Sequence, residues 1–271
     1  NYNSADVIIQ VNDSIIKEPI EGAIVYFSLG KDSCLIGETV STDGKKPVLK
    51  AKMPVGLGVL VASKENYLSK SVEFGSSLTE EQSVSLSIDR YVNVNVSVSR
   101  IPVTKQNGWR PSGISIPDLE QTQQAVVTLT RIPENPSQEQ YAVAFEIKGN
   151  INRTKQITLV PGNYEIKATL LDNQKTIVPE DEVCYDDDWY DKFGAGKQKC
   201  EKIPAVTFDI FPKGGVSIDS YQITGDDLKK AKELVIYLFS IPDGYSRDAS
   251  GTTNLKHADL EQSGKAEQYS K

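Results

Sequence analysis

The sequence contains a single histidine, His257, and this limits the reactions that the chain could catalyse. A serine or cysteine nucleophile usually needs a histidine base held by its neighbours, and His257 lies in a polar stretch that favours the surface. Zinc catalysis usually draws on two or more histidines. Both glycine-rich patterns that cradle nucleotide phosphates are missing. A carboxylate pair for glycoside hydrolysis stays open, but the sequence singles out no pair. We therefore expect that the chain is not an enzyme.

The densest cluster of charge is an acidic segment, in which seven carboxylates fall within the twelve residues 180–191. Oxygen ligands of this kind suit Ca²⁺, and the candidate ligands are Asp186, Asp187, Asp188 and Asp191. Their spacing differs from the EF-hand frame, in which acidic residues alternate with others before a glycine. Calcium is therefore the one cofactor that the sequence suggests, and a solvated acidic loop is the alternative.

Two of the three cysteines, Cys184 and Cys200, are sixteen positions apart on either side of a turn-rich acidic loop. The loop between them has too few apolar residues to order itself, which favours a disulfide worth about 3 kcal/mol. Two unpaired thiols are the alternative. Cys34 lies alone in a strand pattern, where we expect it to act as a small buried apolar residue.

Three Asn-x-Ser/Thr sequons begin at Asn12, Asn95 and Asn152, and each is a candidate for N-glycosylation. Together with the cysteine pair they favour an exported protein, because disulfides persist in oxidising compartments. The sequence starts at Asn1 and its single methionine is Met53, so we expect a processed or excised segment. These features predict an extracellular or cell-surface location.

Charge and aromatic residues narrow the choice of partner. The 37 acidic and 30 basic residues are interspersed and give a net charge of −7, which argues against nucleic acid, since phosphate binding needs a concentrated basic face. Apolar runs such as residues 235–239 are far shorter than the ~20 residues of a membrane span. Trp109 and Trp189 lie in predicted loops, where they either stack on sugar rings or cover the edge of a sandwich. The expected partners are other copies of the protein, surface proteins or glycans.

Short alternating strands must position these residues. In residues 5–13 the apolar side chains of Val7, Ile9 and Val11 recur at every second position, and Val84, Leu86 and Ile88 do the same later in the chain. This period is typical of half-buried strands. The sequence therefore predicts an all-β protein built from tandem β-sandwich modules with little helix, the first of which covers residues 1–90.

The first third of the chain resembles the carboxypeptidase regulatory-like, or transthyretin-like, sandwich modules. The matching segments are residues 22–25 (Gly-Ala-Ile-Val), 42–44 (Thr-Asp-Gly), 53–56 (Met-Pro-Val-Gly), 59–62 (Val-Leu-Val-Ala) and 66–67 (Asn-Tyr). One departure is Asn66, which replaces the usual glycine before the aromatic residue, although asparagine also tolerates a positive φ. The resemblance implies that the predicted tandem modules are Ig-like or transthyretin-like β-sandwiches, which serve as spacers, stalks or interaction domains.

A second sandwich is predicted over residues 91–212. Val92, Val94, Val96 and Val98 alternate with polar residues and indicate a long strand at its start. The Pro- and Gly-bearing residues 102–123 indicate a polar insertion, and residues 205–211 are expected to close the sandwich after the cysteine loop. Residues 160–164 (Val-Pro-Gly-Asn-Tyr) repeat the Pro-Gly pattern of the first module, so we expect a divergent copy of a related sandwich.

The C-terminal extension, residues 213–271, either completes the second sandwich or starts another module. Residues 215–223 alternate like a strand. Thr224 and Asp227 have the spacing of a capping box, which predicts a short helix, and the β-branched and aromatic residues 235–239 predict a strand after it. A single continuous helix is the alternative. A long loop is expected from Pro242 onward.

The function that these features favour is that of a non-catalytic structural or adhesive module of an exported protein, such as a spacer, a filament or an envelope subunit. The alternative is an accessory, carbohydrate-binding region of a larger secreted enzyme. Unpaired strand edges can accept a strand from a neighbour, and residues 92–98 form the longest candidate for such an edge.

Overall fold

The structure is a computed structural model, and it describes residues 3–105, 109–134, 138–149, 151, 153–178, 180–186, 198–231 and 233–241. Of these residues, 63% lie in strands and 3% in a helix, which confirms the predicted all-β fold class. Alternation of apolar and polar side chains explains this outcome, because it gives each strand one face for a core and one for solvent.

The described residues form twenty strands and one short helix. In chain order they are β1 (Val7–Asp13), β2 (Ile24–Leu29), β3 (Asp32–Glu38), β4 (Leu49–Ala51), β5 (Gly56–Ser63), β6 (Tyr67–Leu68), β7 (Lys70–Ser76), β8 (Gln82–Arg90), β9 (Val92–Lys105), β10 (Trp109–Pro111), β11 (Gln123–Ile132), β12 (Ala142–Lys148), β13 (Thr154–Leu159), β14 (Gly162–Asp172), β15 (Thr176–Val178), β16 (Asp181–Asp186), β17 (Gln198–Ile203), β18 (Val206–Phe208), β19 (Phe211–Ile223), α1 (Gly225–Lys230) and β20 (Glu233–Ser240).

Strands β1–β8 form two four-stranded sheets, with the orders β4-β1-β8-β6 and β3-β2-β5-β7. Their facing sides enclose a hydrophobic core in which Val7, Ile9, Phe27, Leu60 and Ile88 are fully buried. The first and last strands of this sandwich, β1 and β8, are parallel neighbours joined by seven residue pairs. β1 and β8 are therefore adjacent in the sheet although strands β2–β7 lie between them in the sequence.

Two turns of this sandwich have the backbone that the sequence predicts. Asp43 and Gly44 have φ angles of 53° and 72°, and Asn66 has a φ of 66°. Asparagine and aspartate tolerate this left-handed region better than most residues. Cys34 differs from expectation, since it is half-buried on β3 and not fully enclosed, and its thiol is free. β3 lies at the outside of its sheet, which explains the partial exposure.

A single eight-stranded sheet, folded over a core of its own, forms the second unit, which is the second sandwich. Its order is β10-β9-β20-β19-β14-β11-β12, and β13 pairs with β9 beside β10. β12 and β13 lie side by side although they are far apart in this order, which shows that the sheet curls. The Tyr141 hydroxyl donates a hydrogen bond to the carbonyl oxygen of Thr158 across this seam. A second hydrophobic core fills the interior.

The predicted strand at residues 92–98 is central and not an edge, so its proposed role as an open edge is wrong. β9 pairs with β13 along one side and with β20 along the other. Its inward residues Val94, Val96 and Val98 are buried in the second core. β9 also continues to Lys105, and Arg100 pairs with Ile116, so residues 102–123 are only partly a loop. The alternating pattern shows a buried face, but it does not reveal how many strands flank it.

The final elements include the predicted short helix α1 and the predicted strand β20, which exclude the single continuous helix. β19 and β20 lie inside the eight-stranded sheet. Residues 205–211 were expected to close the sandwich, and this is wrong: β18 pairs with β15 in a separate ribbon, and β16 pairs with β17 in another. β20 is the last strand of the sheet in the chain, and it is parallel to the first strand, β9, over eight residue pairs.

Candidate functional site

A concave feature of the described surface lies where β19 and β20 separate. Their pairing joins Gly214 to Ser240 and Gly215 to Phe239, and among the described residues it extends no further. Gly214 has a φ of +143°, and a Cβ placed on it would collide with the carbonyl oxygen of Phe239. A Cβ on Gly215 would meet the backbone of β14. The two glycines therefore permit the close contact from which the strands diverge.

Helix α1 bridges the wide end of this gap. The Thr224 hydroxyl accepts a hydrogen bond from the backbone N–H of Asp227 at 3.1 Å, and the Asp227 carboxylate accepts one from the Thr224 N–H at 2.9 Å. This capping box fixes the start of the helix. The hydrogen bonds from Thr224 also hold the pKa of Asp227 below its ordinary value. On the opposite side of the helix, Leu228 is buried against the second core.

The space between the two strands and α1 is a cleft of about 320 Å³, near the lower limit of the volumes typical of ligand sites. Its floor is aliphatic and includes the buried side chains of Val94, Leu159 and Leu228. Half-buried Leu234 and Tyr237 of β20 form one wall. An apolar floor of this kind binds apolar groups by removing them from water.

The rim of the cleft is polar and exposed. Asp227 and Glu233 place carboxylates there, and Gln222 adds an amide. The carboxylates of Asp227 and Glu233 give the rim negative charge, which is expected to attract a cation. An apolar floor beneath acidic groups is suited to binding an amphipathic ligand.

A second group of side-chain contacts joins the two sandwiches. Ile15, on the loop after β1, belongs to the core of the second unit and not to that of the first. It lies beside the backbone of Gly225 at the start of α1. The loop is fixed by Asp13, whose Oδ1 accepts hydrogen bonds from the N–H groups of Ile15 and Ile16 at 2.7 and 3.0 Å.

The other oxygen of Asp13 lies in a polar triad. Oδ2 accepts a hydrogen bond from the Tyr67 hydroxyl at 2.9 Å and forms an ion pair with Arg90 at 2.6 Å. Burial by itself raises the pKa of Asp13, but the hydrogen bonds to Ile16, Ile15 and Tyr67 and the charge of Arg90 outweigh it, so the pKa is lowered. The triad therefore holds Asp13 as a carboxylate, and with it the loop that carries Ile15.

A buried ion pair connects the units directly. Asp89 at the end of β8 accepts a hydrogen bond from Nη2 of Arg131 on β11 at 2.6 Å, and both residues are almost fully buried. A Cβ on Gly162 would overlap the Arg131 side chain, so this glycine makes room for the pair. A single residue, Tyr91, separates β8 from β9. The two sandwiches are thus joined by a short covalent link, an apolar contact and buried charge.

The structure shows where both predicted cysteines lie, but it does not describe most residues of the predicted calcium site. Cys184 on β16 lies directly opposite Cys200 on β17 in the antiparallel register. This register is compatible with a disulfide between the two cysteines, which stays a prediction. Asp186 ends β16, whereas Asp187, Asp188 and Asp191 lie outside the described residues.

The other predicted site residues are dispersed. Asn12 on β1 donates a hydrogen bond to the Ser85 hydroxyl at 2.8 Å, and Asn95 is exposed on β9. Trp109, expected in a loop, instead has its backbone in β10, paired with β9. Asn152, Trp189 and His257 lie outside the described residues.

Sequence reasoning missed the cleft and the junction, and faint signals exist in the sequence for the cleft alone. The Gly214-Gly215 pair inside a strand pattern signals close backbone approach, and a capping box between two strands signals a short bridging helix. Ile15 was an apolar residue in a turn. Because its burial depends on an element more than two hundred positions later, local pattern could not reveal it.

Comparisons with known proteins find remote structural likeness only. No protein-family model matches the chain, and no curated protein matches it. The Bacillus anthracis TIE protein is 12% identical with a TM-score of 0.27 over 89% of this chain and 50% of that one, so the chain spans about half of its length. A Bacteroides uniformis protein proposed to bind carbohydrate is 9% identical with a TM-score of 0.27, over 76% and 98% of the two chains. The streptococcal ancillary pilin is 10% identical with a TM-score of 0.28, over 89% and 64%. At these values the similarity assigns neither family nor function.

Within the part of the chain that the structure describes, no helix has the length and apolar character that crossing a bilayer would require.

Proposed function

We propose that the chain is a non-catalytic structural module of an exported, cell-surface or secreted protein, and that it transmits mechanical load along its length. The observation that supports this is the strand order. In each sandwich the first and last strands are parallel neighbours: β1 with β8, and β9 with β20. The opposed Cys184 and Cys200 support an oxidising, extracellular location.

Parallel pairing determines how tension acts on each sandwich. The start of one parallel strand and the end of its neighbour lie at opposite ends of the pair. Tension that enters at Val7 and leaves after β8 therefore pulls the two strands past each other. The seven residue pairs of β1–β8 must then break together, whereas a pair opened from one end breaks one bond at a time.

The same geometry recurs in the second sandwich and acts in series with the first. Tension that leaves β8 passes through Tyr91 into β9, and the eight pairs of β9–β20 carry it in shear. The buried Asp89–Arg131 ion pair spans the junction between the β1–β8 pair and the β9–β20 pair. A spacer or stalk needs this arrangement, because its ends are pulled apart while its fold must persist.

Single-molecule force spectroscopy tests the proposal by changing only the direction of load. In a Cys34→Ser background, one chain is held at its two termini, and a second is held at its N-terminus and at a cysteine replacing Glu81, just before β8. The second geometry loads the same ends of β1 and β8 and opens the pair like a zipper. We expect two high-force events for the terminal geometry and a clearly lower force for the zipper geometry. Equal forces would contradict a load-bearing role.

An adhesive function has its own structural support. The outward face of β9 and β13 carries a row of neutral amides and hydroxyls, in which the Thr158 hydroxyl donates to Asn93 Oδ1 at 3.0 Å and exposed Gln156 pairs with Asn95. Side chains of this kind can hydrogen-bond to sugar hydroxyls. A glycan array probed with the wild type and with Asn95→Ala tests this second candidate, and equal signals from the two proteins would exclude this face.

A further inference from the structure

The cleft between β19 and β20 differs from an ordinary surface groove because strand edges form its walls. Pairing between the strands stops at Gly215 and Phe239, yet β20 continues in register with β9 on its other side from Glu233 onward. The side of β20 that faces the cleft is therefore a strand edge inside a sheet. Such an edge offers a regular row of backbone donors and acceptors to an added strand.

The inner part of the cleft is apolar. Val94, Leu159 and Leu228 close its floor, and half-buried Leu234 and Val235 add apolar surface on the side of β20, so this part suits a large apolar side chain. A volume of about 320 Å³ accommodates an apolar side chain with adjoining backbone. A peptide supplies both an apolar side chain and the backbone groups that complement a strand edge.

The rim adds a preference for charge. Glu233 begins β20 at the mouth of the cleft, and Asp227 lies on α1 across from it. A cationic side chain next to the inserted apolar one would lie between these carboxylates and form exposed ion pairs with them. The charge therefore favours a peptide with a lysine or arginine beside its apolar anchor.

We propose that this cleft binds an extended peptide segment of a partner protein, which adds to the edge of β20, inserts one large apolar side chain over Leu228 and Leu234, and places a lysine or arginine against Glu233. This binding role goes beyond the load-bearing function and does not depend on it. Peptide binding and load bearing would act together if the bound segment belongs to the next component of a surface assembly.

A matched pair of variants isolates the cleft. Ala231→Trp fills the mouth, because Ala231 lines the cleft and is exposed. Lys229→Trp puts the same bulky ring two positions earlier, at an exposed residue of α1 that does not line the cleft. The probe is a displayed library of random twelve-residue peptides, selected on the wild-type protein and counted against both variants.

The expected result is enrichment of peptides with an aromatic or large aliphatic residue next to lysine or arginine. A synthetic copy should bind the wild type and Lys229→Trp equally, and Ala231→Trp at least about tenfold more weakly, which is 1.4 kcal/mol. Replacing Glu233 with lysine should shift the preference toward acidic peptides. N-methylation of alternate backbone nitrogens should weaken binding by a similar factor, because it removes the donors that pair with β20.

Three outcomes would overturn the proposal. Equal binding to Ala231→Trp would place the site elsewhere, and full binding of the N-methylated peptide would exclude strand addition. No enrichment, together with binding of glycans that Ala231→Trp abolishes, would make the cleft a sugar site. The force measurements above are unaffected by any of these results, so the two proposals fail separately.

Discussion

The Tyr164 hydroxyl donates a hydrogen bond to the carbonyl oxygen of Val160, four residues earlier in the chain, at 2.7 Å. Both residues are fully buried. Burial raises the pKa of Tyr164, so the hydroxyl stays protonated and keeps its donor role. A tyrosine that bonds back to the backbone just upstream is a feature of Ig-like sandwiches, in which it fixes the turn before a strand. Here it fixes the start of β14, where Tyr164 pairs with Arg131 of β11.

Removing this hydroxyl should destabilise the second sandwich. Tyr164→Phe leaves the buried Val160 carbonyl without its side-chain partner, and we expect the free energy of unfolding to fall by about 1–3 kcal/mol. Urea unfolding followed by fluorescence measures the change. Tyr26→Phe is the control, since Tyr26 is exposed and should change stability by less than about 0.5 kcal/mol. Equal effects would mean that the bond does not support the fold.

Breaking the Asp89–Arg131 pair should lower the stability of the protein more than breaking an exposed ion pair does, because both residues are buried. Arg131→Ala or Asp89→Ala leaves one charge buried alone, and each should cost about 3–5 kcal/mol. Replacing both residues by leucine should cost less than either single change, because no charge is then left behind. Urea unfolding of all three variants tests this. As a comparison, Glu165→Ala breaks the exposed pair with Lys167 and should cost at most about 1 kcal/mol. A double variant less stable than the singles would contradict the prediction.

Acid should weaken the junction through Asp13. Its pKa is lower in the folded protein than the ordinary 3.8, so the unfolded chain binds this proton more tightly than the native state does. The resulting stabilisation is complete above pH 3.8 and is lost as the pH falls through the lower, folded value. We expect the urea midpoint of the wild type to fall more steeply below this pH than that of Asp13→Asn. Parallel curves would show that Asp13 contributes nothing to acid sensitivity.

The Cys184–Cys200 disulfide is tested by mass spectrometry. Alkylation of the denatured, unreduced protein should modify Cys34 alone, and reduction should expose two further thiols. The variant Cys34→Ser should then take up no label before reduction, which checks the assignment. Three labelled cysteines in the unreduced wild type would refute the bridge and remove one support for an extracellular location.

Proline at position 96 should unfold the second sandwich. Val96 is buried and pairs with Lys155 on one side and Leu234 on the other, so proline would remove backbone bonding in the middle of the sheet. Circular dichroism should show loss of β structure together with early thermal unfolding. Lys31→Pro, at an exposed hairpin turn, is the comparison and should keep the fold. A folded Val96→Pro protein would argue against the central position of β9.

Local features could be predicted from the sequence because their causes are local. Val7, Ile9 and Val11 show a buried face through their own spacing, and Asn66 adopts the left-handed backbone that its side chain tolerates. The capping box of Thr224 with Asp227 depends on residues three positions apart. Each of these predictions needed only a few consecutive residues.

Long-range features could not be predicted in this way. The alternating valines of β9 give the same pattern for a central strand as for an edge, since pairing involves the backbone and the pattern involves side chains. The cleft depends on where β19 and β20 stop pairing, which is set by Gly214 against Phe239. The junction depends on Arg131 meeting Asp89 from another sandwich.

The position of Ile15 also has a consequence for biosynthesis. Its apolar site is built from strands that leave the ribosome much later, including residues next to Gly225. During synthesis the first sandwich can assemble while Ile15 and the charge of Asp89 still lack their partners. The nascent chain would then expose apolar surface and an unpaired side of β9 until β20 is made and inserted beside β9. Because such distant pairing forms slowly, the interval before β20 docks is when the chain is most exposed to aggregation and most dependent on chaperones.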